Sequence, residues 1–213
     1  MYTSTTMMST ATSVGMLWGM DGRPYHHGNL RAELLAEAER TLRDQGIDQL
    51  SLRDLARQAG VSHAAPRRHF ADRQALLEAL AEVGFLRLGD ELLAAVGTAA
   101  DDYQARLRAA ATAYVRFATQ DAALLDRMFV VKRGQHSAAL DDAFGRLFTA
   151  FDDLIRQGQQ AGELQPGDPG RVRLLLLAAV LGIAALVASG SIDAGQTDAL
   201  ITDAVAFFAH GPR

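Results

Sequence analysis

Apolar residues recur every three or four positions along most of the chain after residue 29, which is the spacing of amphipathic helices. The first such segment carries Leu30, Leu34, Leu35, Ala38 and Leu42 on one face. We predict that it ends at Gly46, because glycine readily adopts the left-handed conformation that follows many helices. Ser51 and Asp72 are typical N-cap residues, so we predict a second helix at Leu52–Ala59 and a long fourth helix after Asp72. A short third helix is predicted at about 63–69.

The same periodicity continues beyond a break at 97–102. It predicts helices at about 103–119, 121–132, 137–161, 171–190 and 195–209. The chain has 213 residues, is 49% hydrophobic and is dominated by Ala and Leu, which favours helices around a sizeable core. We therefore predict an all-α fold of about nine helices, with three in a small N-terminal unit, a linking fourth and a larger C-terminal bundle.

The first 22 residues differ from the rest, since they are rich in Ser, Thr, Met and Gly and have no helical period. They lack the charged and apolar regions of a secretory signal, so we predict a disordered arm at 1–22. A translation start at Met20 is equally sensible, and the arm would then not exist in the cell. The longest apolar run, 174–189, is shorter than the roughly 20 residues of a membrane span. We expect a cytoplasmic protein, and the absence of cysteine fits a reducing compartment.

Residues 52–70 carry the strongest motif, two short helices joined by a tight turn. Ala56 offers the small side chain that a steep helix crossing requires, and Gly60 permits a positive φ in the turn. Any pair of packed helices requires a small residue at the crossing and a glycine in the turn, so the charge distribution is the better guide to function. Between Ser51 and Arg73 five arginines stand against two acidic residues, a local charge of +3 in a chain of formal charge −4. This pattern favours a DNA-binding helix-turn-helix, with Ser62 capping the recognition helix and Pro66 in its first turn.

Residues 25–85 resemble the N-terminal DNA-binding domain of the TetR family of transcriptional regulators. The motifs that carry the resemblance are YHHGNLR at 25–31, LSLR at 50–53, AGVSHAAP at 59–66, RHF at 68–70 and ADRQALL at 71–77. The helical remainder matches the family's ligand-binding and dimerisation half, and residues 113–129 resemble one branch of the family. The resemblance implies a DNA-binding domain at 23–72, a linking helix at 73–96 and an effector-binding and dimerisation domain at 97–213.

The resemblance also implies which side chains face DNA. Ser51, Arg53 and Arg73 would contact the phosphate backbone. The recognition segment would present Ser62, His63, Ala65, Arg67, Arg68 and His69. Arginine can read guanine or hold a phosphate, and the residue types leave both roles open. The chain departs from the family at Arg67, where tyrosine is usual, and at Arg73, where lysine is usual.

Aromatic and sulfur-containing side chains recur at helical spacings in the predicted bundle. Most such residues form a core, but a bundle rich in Phe and Met can also enclose an apolar cavity. The candidates for ligand binding are Tyr114, Phe117, Met128, Phe129, His136, Phe148 and Phe151. The last two helices are apolar and rich in small residues, and a helix that is apolar nearly all round must be buried on every side. A two-fold interface with a second copy of the chain would bury it, and the alternative is a core helix of a monomer. The resemblance favours the same homodimer.

Other kinds of site fit the sequence less well. His26, His27, His63 and His69 do not have the spacing of a zinc site, so we predict no metal and no cofactor. The adjacent aspartates at 101–102, 141–142 and 152–153 do not face each other on a helix, and we interpret them as caps and solvated faces. We predict a homodimeric, non-enzymatic repressor that binds a pseudo-palindromic operator and is released by a small-molecule effector. The alternative is a helical carrier or enzyme whose N-terminal hairpin is only structural.

Overall fold

The computed structural model describes residues 30–132 and 136–210, so the predicted arm, His26 and His27 lie outside the described part. Within that part the chain forms eight α-helices and no strand, which confirms the predicted all-α fold. The helices are α1 (Leu30–Gln45), α2 (Leu52–Gln58), α3 (Arg73–Thr98), α4 (Tyr103–Gln120), α5 (Ala122–Lys132), α6 (Ala138–Gln160), α7 (Pro169–Ala188) and α8 (Thr197–His210). The last five lie within two residues of their predicted bounds.

The residues predicted to begin and end helices form the expected side-chain caps and glycine turns. The Ser51 hydroxyl accepts the Asp54 N–H at 3.1 Å at the start of α2, and the Asp72 carboxylate accepts the Ala75 N–H at 2.8 Å at the start of α3. Gly46 and Gly60 have φ of 84° and 67°, a region that favours glycine over residues with a Cβ. These local signals fix where the chain changes direction between α1, α2 and the residues that follow.

The third predicted helix is wrong in type and length, because residues 66–68 form a single 3-10 turn instead of an α-helix over 63–69. Pro66 has no N–H, so it cannot donate the α-helical bond to the Ser62 carbonyl. That carbonyl instead accepts the Ala65 N–H at 2.9 Å, and the Pro66 carbonyl accepts those of His69 and Phe70 at 3.0 and 2.9 Å. Ser62 therefore does not cap a helix, and we call residues 62–69 the recognition turn.

The long helix α3 lies at the centre of the molecule and packs against α4, α5 and α6. Gly84 allows a close approach to α5, because a Cβ there would lie only 2.7 Å from the Met128 Sδ. On α4, the Tyr103 hydroxyl donates to the Leu154 carbonyl on α6 at 3.0 Å, and burial raises the pKa of this phenol to about 12. These contacts join α4, α5 and α6 to the core around α3.

Helix α7 is longer than the apolar run that predicted it. With 20 residues, it is the one helix in the described part that could cross a membrane by length and composition. Only 17% of its most apolar window is buried within the single chain, so the burial predicted for all its sides is not supplied by the chain itself. Its exposed leucines are Leu174, Leu175, Leu181 and Leu186, and Phe207 on α8 is exposed as well.

Candidate DNA-recognition surface and effector cavity

A small apolar core holds the recognition turn against α2. Leu55, Ala56 and Phe70 are almost completely buried, and Pro66 is buried with them. The Val61 N–H donates to the Ala56 carbonyl at 2.9 Å across the turn at Gly60. Ala56 thus has the role predicted for it, since any larger side chain at this completely buried position would separate the two segments.

The recognition turn places most of the predicted DNA-facing side chains in solvent. Ser62, His63, Arg67, Arg68 and His69 are exposed, whereas Ala65 is half-buried beside Pro66. Neither Arg67 nor Arg68 forms an ion pair with any described residue, so both guanidinium groups are free to meet an anion. The turn therefore presents two unpaired cations beside polar side chains, a combination suited to a DNA groove.

The residues predicted to contact phosphates lie at the starts of α2 and α3, and they differ in the hydrogen bonds and ion pairs that they form within the chain. Arg53 is exposed and has no ion pair among the described residues. Ser51 is occupied as a cap, and its hydroxyl also donates to the Asp54 carboxylate at 2.5 Å, which lowers the pKa of Asp54. Arg73 donates through Nε to the Leu50 carbonyl at 2.9 Å and through Nη2 to the Ile47 carbonyl at 2.6 Å. Arg73 thus ties the start of α3 to the approach of α2, a role that the sequence did not indicate.

The C-terminal helices line an apolar cavity, and the space between its walls is about 560 Å³ when the part open to solvent is included. We call it the inner chamber. Four of the seven predicted ligand residues line it: Tyr114, Phe129, Phe148 and Phe151. Burial raises the pKa of the Tyr114 phenol well above its usual range, so this hydroxyl stays protonated. An apolar cavity with few polar groups is the usual form of a small-molecule site.

The other three predicted ligand residues do not line the inner chamber. Met128 is completely buried against Gly84, and Phe117 is buried with the Arg87 guanidinium 4.9 Å from its ring centre. His136 lies at the start of α6, where its Nδ1 is 3.2 Å from the Asp141 carboxylate. Their helical spacing was right for a core but could not tell which part of the core is hollow.

Two family models match the chain, and together they cover more than half of it. The model of bacterial regulatory proteins of the tetR family matches residues 34–80, and a tetracyclin repressor-like C-terminal domain matches residues 107–208. The first match contains the recognition turn and the second contains most of the inner chamber. The chain belongs to the TetR family. It is thus a DNA-binding transcriptional regulator by family.

Solved structures agree with this assignment to the TetR family. A Rhodococcus sp. RHA1 protein of unknown function is 46% identical, with a TM-score of 0.81 over 89% of this chain and 98% of its own. A TetR family regulator from Marinobacter aquaeolei VT8 shares the fold at 17% identity, with a TM-score of 0.68 over 84% of this chain and 94% of its own. The fatty acid degradation regulator FadR from Bacillus halodurans does so at 16% identity, with a TM-score of 0.68 over 87% and 97%. No curated protein matches the chain.

In this TetR chain, four charged side chains connect the helix-turn-helix to the C-terminal helices, and we call them the ion cluster. They are Glu39 and Arg43 on α1, Arg87 on α3 and Asp121 just before α5. Arg87 donates to Glu39 at 2.5 Å and to Asp121 at 2.7 Å, and Arg43 donates to the same two carboxylates at 2.9 and 2.7 Å. Donation to the Asp121 carboxylate raises the pKa of the Arg43 guanidinium. Sequence reasoning missed this cluster, because its members are up to 82 positions apart.

Sequence reasoning also missed an ion pair at the wall of the inner chamber. The Arg173 Nη1 donates to the Asp152 carboxylate at 2.6 Å, and its guanidinium lies 4.7 Å from the centre of the Phe148 ring. The adjacent aspartates were interpreted as caps and solvated faces, and Asp102 caps α4 while Asp153 pairs with Arg156 one turn along α6. Asp152 differs from them, because it is 20% exposed and pairs with Arg173 at the chamber wall.

Proposed function

We propose that the chain is a ligand-responsive repressor, which binds a pseudo-palindromic operator as a homodimer and releases it when a small-molecule effector binds. The observation that carries DNA binding is the recognition turn, with Arg67 and Arg68 exposed and unpaired in the described part of the chain. A helix-turn-helix places such side chains in the major groove, where they meet base edges and phosphates. Ser62, His63, Ala65 and His69 would complete the contact surface.

Contacts with the DNA phosphates would come from the start of α2 and from the start of α3. Arg53 is free to reach a phosphate, and Ser51 can do so only while still capping α2. A guanidinium has five N–H donors, so Arg73 keeps donors for a phosphate while it holds the Ile47 and Leu50 carbonyls. Such contacts position the protein on the duplex without reading its sequence.

The homodimer rests on the exposed apolar surface of α7 and α8. Leu174, Leu175, Leu186 and Phe207 are 59%, 52%, 45% and 55% exposed in the single chain. A contiguous apolar surface of this kind marks a protein interface in a water-soluble protein. Pairing α7 and α8 with their copies about a two-fold axis would bury these side chains and set the spacing of the two recognition turns.

The effector would act through α3. Arg73 at the first residue of this helix holds the approach to α2, and Gly89, Leu92, Leu93 and Val96 near its other end line a cavity beside the inner chamber. A ligand releases DNA only if it binds the DNA-incompetent arrangement more tightly. A shift of α3 on ligand binding would change the separation of the two recognition turns.

Selection of bound sequences from a random DNA pool, followed by a nuclease footprint, tests the proposal. We expect a protected site with approximate two-fold symmetry in the presence of competitor DNA. The double substitution Arg67→Ala with Arg68→Ala should abolish protection, whereas Arg146→Ala, an exposed arginine on α6, should preserve it. Selection of no symmetric site would refute operator binding. An unchanged affinity of the double variant would favour a protein whose hairpin is only structural.

A further inference from the structure

The inner chamber adjoins a second cavity, and Ala110, Leu147 and Phe151 line both of them. The second cavity has a volume of about 540 Å³ including solvent-open space, and we call it the outer chamber. It lies between α3, α4 and α6, toward the beginning of α4. A ligand lying along α4 could therefore occupy both chambers.

The two chambers contain arginines with different electrostatic surroundings. In the inner chamber, Arg173 is already neutralised by Asp152 at 2.6 Å. In the outer chamber, Arg106 forms no ion pair with any described residue, and its Nε is buried without a hydrogen-bond partner. Its guanidinium is 5.7 Å from the centre of the Tyr103 ring, which leaves its charge uncompensated by a carboxylate. A buried donor of this kind is costly unless it meets an acceptor, and an anion is the best one.

The inner chamber is lined by two further unsatisfied polar atoms, the Arg173 Nε and the Tyr114 hydroxyl. The Tyr114 side chain is 2% exposed, and its hydroxyl has no hydrogen-bond partner in the described part of the chain. The walls around it are aliphatic and aromatic, including Leu176, Leu177 and Val180 of α7. An apolar ligand that carries one oxygen at this depth would satisfy the hydroxyl and fill the chamber.

The spacing of these two groups sets the length of the ligand. Arg106 and Tyr114 lie eight residues apart on α4, and Ala110 between them faces both chambers. At 1.5 Å per residue this separation is about 12 Å along the helix axis. Both side chains lean toward the start of the helix, so the offset between their polar ends is similar.

Building on the proposed function, we propose that the effector is an elongated apolar molecule with a carboxylate at one end and a hydrogen-bonding oxygen near the other. The carboxylate pairs with Arg106 in the outer chamber, the apolar body passes Ala110 and Phe151, and the distal oxygen binds the Tyr114 hydroxyl. Asp152 disfavours the reverse orientation, because a carboxylate in the inner chamber would lie beside an arginine that is already paired.

Calorimetric titration of the full-length dimer with three probes tests this ligand class: decanoate, methyl decanoate and 10-hydroxydecanoate. We expect decanoate to bind at least about tenfold more tightly than its methyl ester, since only the free acid carries a charge for Arg106. The 10-hydroxy compound should bind more tightly than decanoate. Arg106→Gln should remove the preference for the acid, and Tyr114→Phe should remove the gain from the hydroxyl. Arg108→Gln, on the same helix but in neither chamber, should preserve both.

Equal binding of decanoate and methyl decanoate would overturn the proposal, as would no binding of any probe. If the Arg106 variant fails to fold, the comparison of the three probes on the unmodified chain still tests whether the site prefers a free acid. A footprint without any probe separates this inference from the proposed function. A protected operator with no acid preference in calorimetry would reject the ligand class alone. A missing operator would reject the repressor itself.

Discussion

At the scale of single residues, the arginines around the helix-turn-helix show what a sequence can and cannot reveal. Their number and clustering predicted a cationic surface, and Arg67 and Arg68 are exposed as that prediction requires. The partners of Arg73 could not be predicted, because they are the backbone carbonyls of Ile47 and Leu50, which every residue type carries. The same limit applies to the inner chamber. Helical spacing made both Met128 and Phe129 candidates for ligand binding, but only Phe129 lines the cavity.

Arg67 occupies a position where TetR relatives usually carry tyrosine, and we predict that it increases the salt dependence of operator binding. Each phosphate contact steepens the slope of log K against log salt by about 0.9. Arg67→Ala should therefore reduce that slope by about one phosphate contact, whereas Arg146→Ala should leave it unchanged. Fluorescence anisotropy of labelled operator at several salt concentrations measures both slopes. An unchanged slope for Arg67→Ala would show that this side chain does not contact a phosphate.

At the scale of elements, caps and turns were predictable because each depends on one or two local residues. Ser51, Asp72, Gly46 and Gly60 act as their residue types indicate. The recognition turn was not predicted, because its helical pattern and its proline gave opposite signals. The proline determines the outcome, a 3-10 turn at residues 66–68, because its missing N–H removes a hydrogen bond that an α-helix through 63–69 would need.

The ion cluster joins elements that are distant in the chain, and we predict that Asp121 is its most sensitive member. Its carboxylate accepts from Arg43 and Arg87 and is 14% exposed, so Asp121→Asn removes one of the two anions that these guanidinium groups share and leaves Glu39 as the only shared one. Removing one partner of a partly buried pair should lower the free energy of unfolding by about 1–3 kcal/mol. Urea denaturation followed by circular dichroism measures this loss. Asp126→Asn is the control on α5, because that carboxylate is 62% exposed and pairs only with its neighbour Arg127 among the described residues.

A matching loss of stability in both aspartate variants would mean that the ion cluster adds nothing beyond surface charge. A loss confined to Asp121→Asn would show that α1 and α3 are held together electrostatically. In that case the variant should also give a weaker response of operator binding to effector, since the cluster connects the helix-turn-helix to the helices around the inner chamber.

At the scale of the whole molecule, the family and the helical architecture followed from the sequence, because the family motifs stand in order within residues 25–85 and the helical periodicity continues to residue 209. The extent of burial of α7 did not follow, since it depends on surfaces that lie outside one copy. The single chain buries only 17% of the most apolar window of this helix. A soluble protein with such a surface requires a partner to cover it.

We predict that Leu174→Glu converts the proposed dimer to a monomer, because a charge in an apolar interface has no compensating partner. Leu93→Glu is a matched control, since Leu93 on α3 is 58% exposed and Leu174 is 59% exposed. Native mass spectrometry and analytical ultracentrifugation measure the assembly state. Dissociation by neither substitution would place the interface away from α7, and dissociation by both would show that the effect is not specific to α7.

The recognition turn also has a consequence for how this regulator changes its target during evolution. A recognition α-helix restricts its exposed positions to residues that tolerate helical geometry. Here the shape comes from buried Pro66 and Phe70 and from backbone bonds across three or four residues. Residues at the exposed positions 63, 64, 67 and 69 therefore need not favour an α-helix. Substitutions there can change which DNA sequence is bound without changing the fold of the turn.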